Sequence, residues 1–241
     1  MVLIRILGQG RAGGSLGLAL VRVGWTVEFV HHGDTANNAA HGVGVLVIAT
    51  PDAAIAHIAR AIEPDPACEV VHLSGSLGLS VLLPHERRGS LHPLVSLPNP
   101  DIGADRLVGA WMAVQGPAAR AIAEALHART FEVDEHQRDL YHATAVVASN
   151  HLVALIGQVE RLALQLGVPL EAFLALAHGS LRNAQELGAH DALTGPASRG
   201  DWPTVARHLD ALPSDERDLY RTLARAASRL ADRPFPPNLD R

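Results

Sequence analysis

Residues 6–20 read ILGQGRAGGSLGLAL, and this stretch decides the fold. It contains Gly8-x-Gly10-x-x-Gly13, directly after the apolar run Val2–Leu7 and at the start of a helix-like segment, Arg11–Val23. A glycine triplet alone is common; its place between a strand and a helix gives it meaning. Gly8 permits a tight turn, Gly10 bares the backbone for a pyrophosphate, and Gly13 lets the helix close onto the sheet. The helix N-terminus turns free N–H groups and a positive dipole end toward the phosphate. The pattern therefore predicts a dinucleotide site built from Gly8, Gln9, Gly10, Arg11, Ala12 and Gly13.

Outward from this point, short apolar runs alternate with helix-like segments. Strands are predicted over Thr26–Val30, Val45–Ala49, Val70–Leu73, Ser90–Leu91, Trp111–Gln115 and Phe131–Val133, with helices over 52–62 and 117–127. That rhythm predicts an α/β fold with a doubly wound, parallel Rossmann sheet. It stops near Asp134, where DEHQ (134–137) reads as a capping box with Asp134 as N-cap and Gln137 three residues on. One long helix is expected over 135–166, its apolar stretch 143–157 buried, followed by helices over 170–187, 202–212 and 215–231. The proline-rich tail, DRPFPPNLDR, is expected to be extended. The division is a dinucleotide-binding Rossmann domain over 1–134 and an all-α substrate and dimerisation domain over 135–241.

Bulk properties exclude several classes. With 48% hydrophobic and 19% charged residues, the 241-residue chain can bury a sizeable core. A net charge of −5 leaves no basic footprint for nucleic acid or an anionic membrane. Cys68 is the sole cysteine, so no intrachain disulfide forms, and a reducing cytoplasmic location is expected. No targeting segment or membrane span is predicted. There are 14 histidines but no H-E-x-x-H motif or cysteine pair, so no metal is expected. All 20 basic residues are arginine, which removes lysine from any mechanism.

An NAD site usually has an acid at the end of the second strand, about 20 residues past the glycines. Here that position falls near Val30–His31, and neither residue is acidic. Without the acid a 2′-phosphate is not repelled, and Arg11, His31 and His32 favour it. NADP is the expected cofactor, with NAD open. Ligands in such sheets sit at the carboxyl ends of the strands. Thr50, Pro51 and Asp52 fall there, as do Ser74 and Gly75, and His92 and Pro93. Asp52 also reads as a helix N-cap. Thr50, Pro51, Ser74 and His92 are assigned to the cofactor pocket.

The order of fingerprint, ATPD (49–52), SGS (74–76) and HP (92–93) resembles the 6-phosphogluconate-dehydrogenase-like superfamily. That group includes ketopantoate reductase, pyrroline-5-carboxylate reductase and prephenate dehydrogenase. RDLYHATAVVASNHLVAL (138–155) and ALTGPASRGDWPTVARHL (192–209) resemble a family of Rossmann-like oxidoreductases with a helical C-terminal domain of formerly unknown function. The resemblance covers nearly the whole chain. It implies an NAD(P)-dependent oxidoreductase, with NADPH-dependent reduction of a small keto acid such as ketopantoate as the leading reading.

Relatives often place a helix lysine at the reacting oxygen, and this chain has none. Aligning Asn150 with a helix asparagine of ketopantoate reductases brings His142 onto that lysine. At ~3.6 residues per turn, Asp139, His142, Ser149 and Asn150 share a helix side. His142 is assigned as general acid, Asn150 as the donor orienting the carbonyl, and Asp139 as the holder of the imidazolium. His92 is the alternative acid, and Tyr141 is expected to pack elsewhere. Ser149, Thr194 and Arg199 are candidate substrate contacts, Arg199 as a fork for a carboxylate; Thr194, Gly195, Arg199 and Asp201 are the candidates for closing the site. Other readings remain open: a dehydrogenase or imine reductase with another substrate, or a non-catalytic dinucleotide-binding redox sensor. The Ala- and Leu-rich helices are expected to form a homodimer.

Overall fold

The computed structural model describes residues 3–30 and 36–239. The expectations for His31 and His32 fall outside them. The chain divides into two compact units, Met1–Asn150 and His151–Arg241.

The first unit is built on seven strands: β1 (Leu3–Leu7), β2 (Thr26–Val30), β3 (Val45–Ile48), β4 (Glu69–His72), β5 (Arg88–Pro93), β6 (Trp111–Gln115) and β7 (Arg129–Phe131). Their order in the sheet is β2-β1-β3-β4-β5-β6-β7. Helices α1 (Arg11–Arg22), α2 (Asp52–Ala61), α3 (Pro100–Leu107), α4 (Pro117–Ala125) and α5 (Arg138–Val146) accompany it. Strands β1 to β5 are parallel. All four residues of β3 and of β4 are buried, as expected of central parallel strands covered on both faces. Alternate side chains feed two cores: Val45 and Val47 join Ile4, Ile6, Leu16 and Met112, while Leu46 and Ile48 join Ile55, Ile62 and Leu82. The sheet is thus doubly wound. The chain leaves β1 for β2 on one side and β3 on the other, and the crevice at that reversal lies beside the glycine loop.

Two features depart from the sequence reading. The sheet is not wholly parallel, because β6 runs antiparallel to β5 and β7 follows β6. The connection from β5 to β6 also carries α3, which was not expected. Its start is well made: Asn99 accepts the Ile102 N–H and Pro100 occupies the first turn. Gly103 allows α3 to lie close on α1, since a Cβ there would fall 2.0 Å from Ser15 Oγ.

Residues 135–166 are helical throughout but not one α-helix. A 3₁₀ turn (Glu135–Gln137) leads into α5, a π-helical turn spans Val147–His151, and α6 covers Leu152–Leu166. Asp134 makes no side-chain cap bond, so the capping box does not form. The apolar stretch is not buried either: Val153 is 71% exposed. Residues 135–166 are long and apolar enough to cross a membrane by length and composition. Polar anchors nevertheless tie α5 and α6 into their own units. Arg138 is buried and donates to Ser90 and Gln115, and Gln158 donates to the Glu216 carbonyl. The sequence boundary at 134 marks where strands end. The compact unit runs on to Asn150 because α5 packs its Arg138 and Tyr141 against β5 residues.

The second unit contains α6, α7 (Leu170–Leu187), α8 (Ala189–Ala192), α9 (Pro196–Arg199), α10 (Trp202–Ala211) and α11 (Arg217–Leu230). Gly167, at φ +67°, ends α6 in the left-handed conformation that favours glycine. A small core joins Ala197, Val205, Leu209, Ala224 and Leu239. The tail is less extended than its prolines suggest: Pro237–Leu239 form a 3₁₀ turn that buries Leu239. Arg161 pairs with Glu216.

Candidate active site

The glycine loop has the geometry its spacing implies. Gly8 sits at φ +110°, and a Cβ there would fall 2.7 Å from the Ala49 carbonyl oxygen. A Cβ on Gly13 would fall 2.0 Å from the Gly8 oxygen and 2.8 Å from Ala49 Cβ, so α1 and β3 meet only because it is absent. A Cβ on Gly10 would meet nothing within 4 Å, which leaves open space at the helix N-terminus. Gly10 is the N-cap and supplies no side-chain bond to the first-turn N–H groups.

A groove of about 600 Å³ opens there, lined by Gly10, Arg11, Ala12, Thr50, Pro51 and His92 among others. Thr50 Oγ1 is buried on its wall without a hydrogen-bond partner. Open space, bare helix N–H groups and an orphaned hydroxyl fit a dinucleotide. Gln9 instead lines a smaller hollow with Gly14, Gly17 and Phe29. Ser74 does not line the groove; its hydroxyl donates to Asp52 Oδ2 at 2.6 Å and accepts the Ser76 and Leu77 N–H groups. Asp52 is therefore not the N-cap of α2. Pro51 holds that position, and the carboxylate takes the hydroxyls of Ser74 and Ser76.

A second cleft, of about 560 Å³, runs along α5. It brings together His92, Tyr141, His142, Ser149 and Asn150. His92, Pro93, Val95 and Ser96 wall both the groove and the cleft. Tyr141 does not point elsewhere: its hydroxyl lies 2.6 Å from His92 Nδ1 and donates to it when the ring proton is on Nε2. His142 stands edge-on to His92 with ring centroids 6.0 Å apart. Gly75 closes the cluster from the SGS loop. A Cβ there would fall 2.9 Å from ring atoms of both His92 and His142. Asp139 is exposed and does not line the cleft. The face turned to the cleft covers 141–142, 144–146 and 148–150, so Tyr141 joins it and Asp139 does not. His142 and Asn150 are eight residues apart, roughly 12 Å along the axis at ~1.5 Å per residue, and address different parts of a ligand.

Electrostatics favour the neutral forms of His92 and Tyr141. Burial, then the neighbouring His142, pushes His92 down to about 4. Burial raises Tyr141 to about 12, against the pull of Arg138. His72, wholly buried at the end of β4, is pushed down to about 4 by burial and then by Arg138. Its Nδ1 accepts the Ser74 N–H at 3.2 Å, and its Nε2 has no partner. Arg138 itself is lowered by burial; it bonds Ser90 Oγ at 2.8 Å and Gln115 Oε1 at 3.1 Å, while its Nε has no partner. Sequence reasoning gave Arg138 no role and placed Gly75 only at a strand end. An arginine among helix polar residues carries no sign of burial, but Gly75 lay inside a quoted motif.

Thr194 and Arg199 belong to the second unit, where both are exposed. Asp201 is occupied as the N-cap of α10, accepting the Thr204 N–H. Among the described residues no group of three His, Cys, Asp or Glu side chains could hold a metal.

The architecture is a Rossmann-type sheet followed by a helical unit. Residues 108–227 match a family model described as a domain of unknown function, DUF2520. A Bacteroides fragilis structure described as a candidate NADP oxidoreductase is similar at 22% identity and TM-score 0.80, covering 95% of this chain and 98% of that one. A Thermotoga maritima protein is similar at 21% identity and TM-score 0.70, with the same coverage. Plasmodium falciparum pyrroline carboxylate reductase, solved with NADP bound, is similar at 10% identity and TM-score 0.61, again covering 95% and 98%. At these identities the likeness establishes the fold. No curated protein matches the sequence.

Proposed function

We propose that the protein is an NADPH-dependent reductase of a small carbonyl compound, with a keto acid of the ketopantoate type as the leading substrate. One observation carries the reading: His92 and its neighbours wall both the glycine-loop groove and the α5 cleft. A cofactor in the first would therefore abut a substrate in the second. The bound cofactor supplies the hydride.

The chain's own residues supply placement and a proton. The α1 N-terminus and Gly10 would hold the pyrophosphate, Arg11 would meet a 2′-phosphate, and Thr50 Oγ1 would gain a partner from the cofactor. The carbonyl oxygen lies among His142, His92 and Tyr141. His142 would hold the proton for that oxygen, and Tyr141 steadies His92 through the 2.6 Å hydrogen bond. Asn150 and Ser149 grip the substrate further along α5. Self-association is part of the proposal, because α6 and α7 expose leucines that a second copy would cover; light scattering at only 25.5 kDa would remove it.

The test is cofactor titration followed by turnover of ketopantoate and a keto-acid panel. His142→Ala and Asn150→Ala should lower turnover about 100-fold while NADPH affinity survives. Full activity in both variants would refute these assignments. Tight NADPH binding without any turnover would favour a redox sensor.

A further inference from the structure

The α5 cleft carries no fixed charge. Among the described residues that line it there is no Asp, Glu or Arg. Its imidazole His92 is neutral at pH 7, and the buried cation Arg138 is engaged by Ser90 and Gln115 and does not line it.

Along α5 and the following π-turn, the lining alternates in kind. Tyr141 and His142 form one polar station, Ala145, Val146 and Ala148 an apolar belt beside Thr144, whose hydroxyl is spent on the Leu140 carbonyl, and Ser149 and Asn150 a second polar station. Val95 and Phe131 add to the apolar lining. At the far station Ser149 Oγ, with a single proton, lies 2.7 Å from the Ala145 carbonyl oxygen and 2.8 Å from Asn150 Oδ1, and the Asn150 amide brings both a donor and an acceptor to a ligand there. An ionised group drawn over the belt would lose water and meet no counter-charge, whereas a hydrocarbon body would lose only unfavourable hydration.

We infer that the cleft takes a carbonyl compound with an uncharged hydrocarbon body ending in a neutral hydrogen-bonding group. The carbonyl lies at His92, Tyr141 and His142; the body crosses Ala145–Val146; a hydroxyl or primary amide reaches Ser149–Asn150. The place of the carbonyl rests on the reductase reading, but the charge preference does not. A keto acid conforms when its carboxylate adjoins the keto carbon, and a dicarboxylate does not.

The probes are 5-oxohexanamide and 5-oxohexanoate, near-isosteres that differ in charge at the far end. Each is titrated calorimetrically into the full chain, with and without saturating NADPH. The amide should bind about tenfold tighter than the carboxylate, or better. Ala145→Arg should reverse that order while leaving NADPH affinity unchanged. A carboxylate bound as tightly as the amide overturns the inference. So does no binding of either probe at about 10 mM, in the range of weak small-ligand affinities. An order unaltered by Ala145→Arg overturns it too. Failure to bind NADPH would sink the reductase reading instead; the charge order would still be read from the cofactor-free titration.

Discussion

The first unit buries Ile4, Ile6, Leu46, Ile48, Val70 and Val71 completely within two cores, one on each face of its sheet. In the second unit α7 buries none of its 18 residues, and Leu164 and Leu176 are 82% and 68% exposed. The same apolar composition thus has two fates. Parallel strands are saturated by helices of their own unit, while α6 and α7 keep apolar faces outward. The difference is that the sheet unit covers its own apolar residues, while the helical unit leaves leucines exposed that the proposed self-association would cover.

Substitutions can break that contrast. Leu16→Ala should cost about 3 kcal/mol in a denaturant titration, because Leu16 is fully buried. Gly13→Val should cost about as much, since its Cβ would overlap the Gly8 carbonyl. Leu176→Glu should instead leave the monomer's stability within about 0.5 kcal/mol and shift the chain toward monomer in light scattering. If it unfolds the protein, the exposed face is structural and the contrast fails.

Smaller effects sharpen it within the first unit. Gly75→Ala should displace His92 and His142 and lower turnover about 100-fold, with a melting shift of only a few degrees. Acidification should act on the sheet unit. His72 and His92 are held near 4 against an ordinary 6.5, so between those values the unfolded chain binds more protons than the folded one. Stability is therefore expected to be complete above about 6.5 and to fall as pH drops toward 4. His72→Gln should flatten that slope in thermal melts at stepped pH. The smallest stability effect belongs to Gly10→Ala, which meets open space and should alter melting little while weakening NADPH binding about tenfold.

Legibility in the sequence followed how local each cause was. The glycine loop could be read because turn, bare backbone and close approach are all fixed within six residues, Gly8 to Gly13. The reversal of β6 could not, since strand direction is set by the packing of the whole connection, including α3 on α1. Asn99-Pro100 was a readable helix start that went unused. His142, Ser149 and Asn150 were legible as polar residues on an apolar helix. Tyr141 was not, because a helix-wheel calculation cannot tell how wide a face the cleft claims. Arg138 and Gly75 take their roles from partners 23 and 48 positions away for Arg138, and from rings on β5 and α5 for Gly75. Such contacts leave no local pattern.

The most direct test of the central claim is a calorimetric titration of the purified chain with NADPH and with NADH, run beside Gly10→Ala. Saturable binding that prefers NADPH and is weakened in the variant is the predicted result. Absence of binding by either nucleotide at millimolar concentration, or equal binding by the variant, would contradict a dinucleotide site at the glycine loop and the reductase built on it.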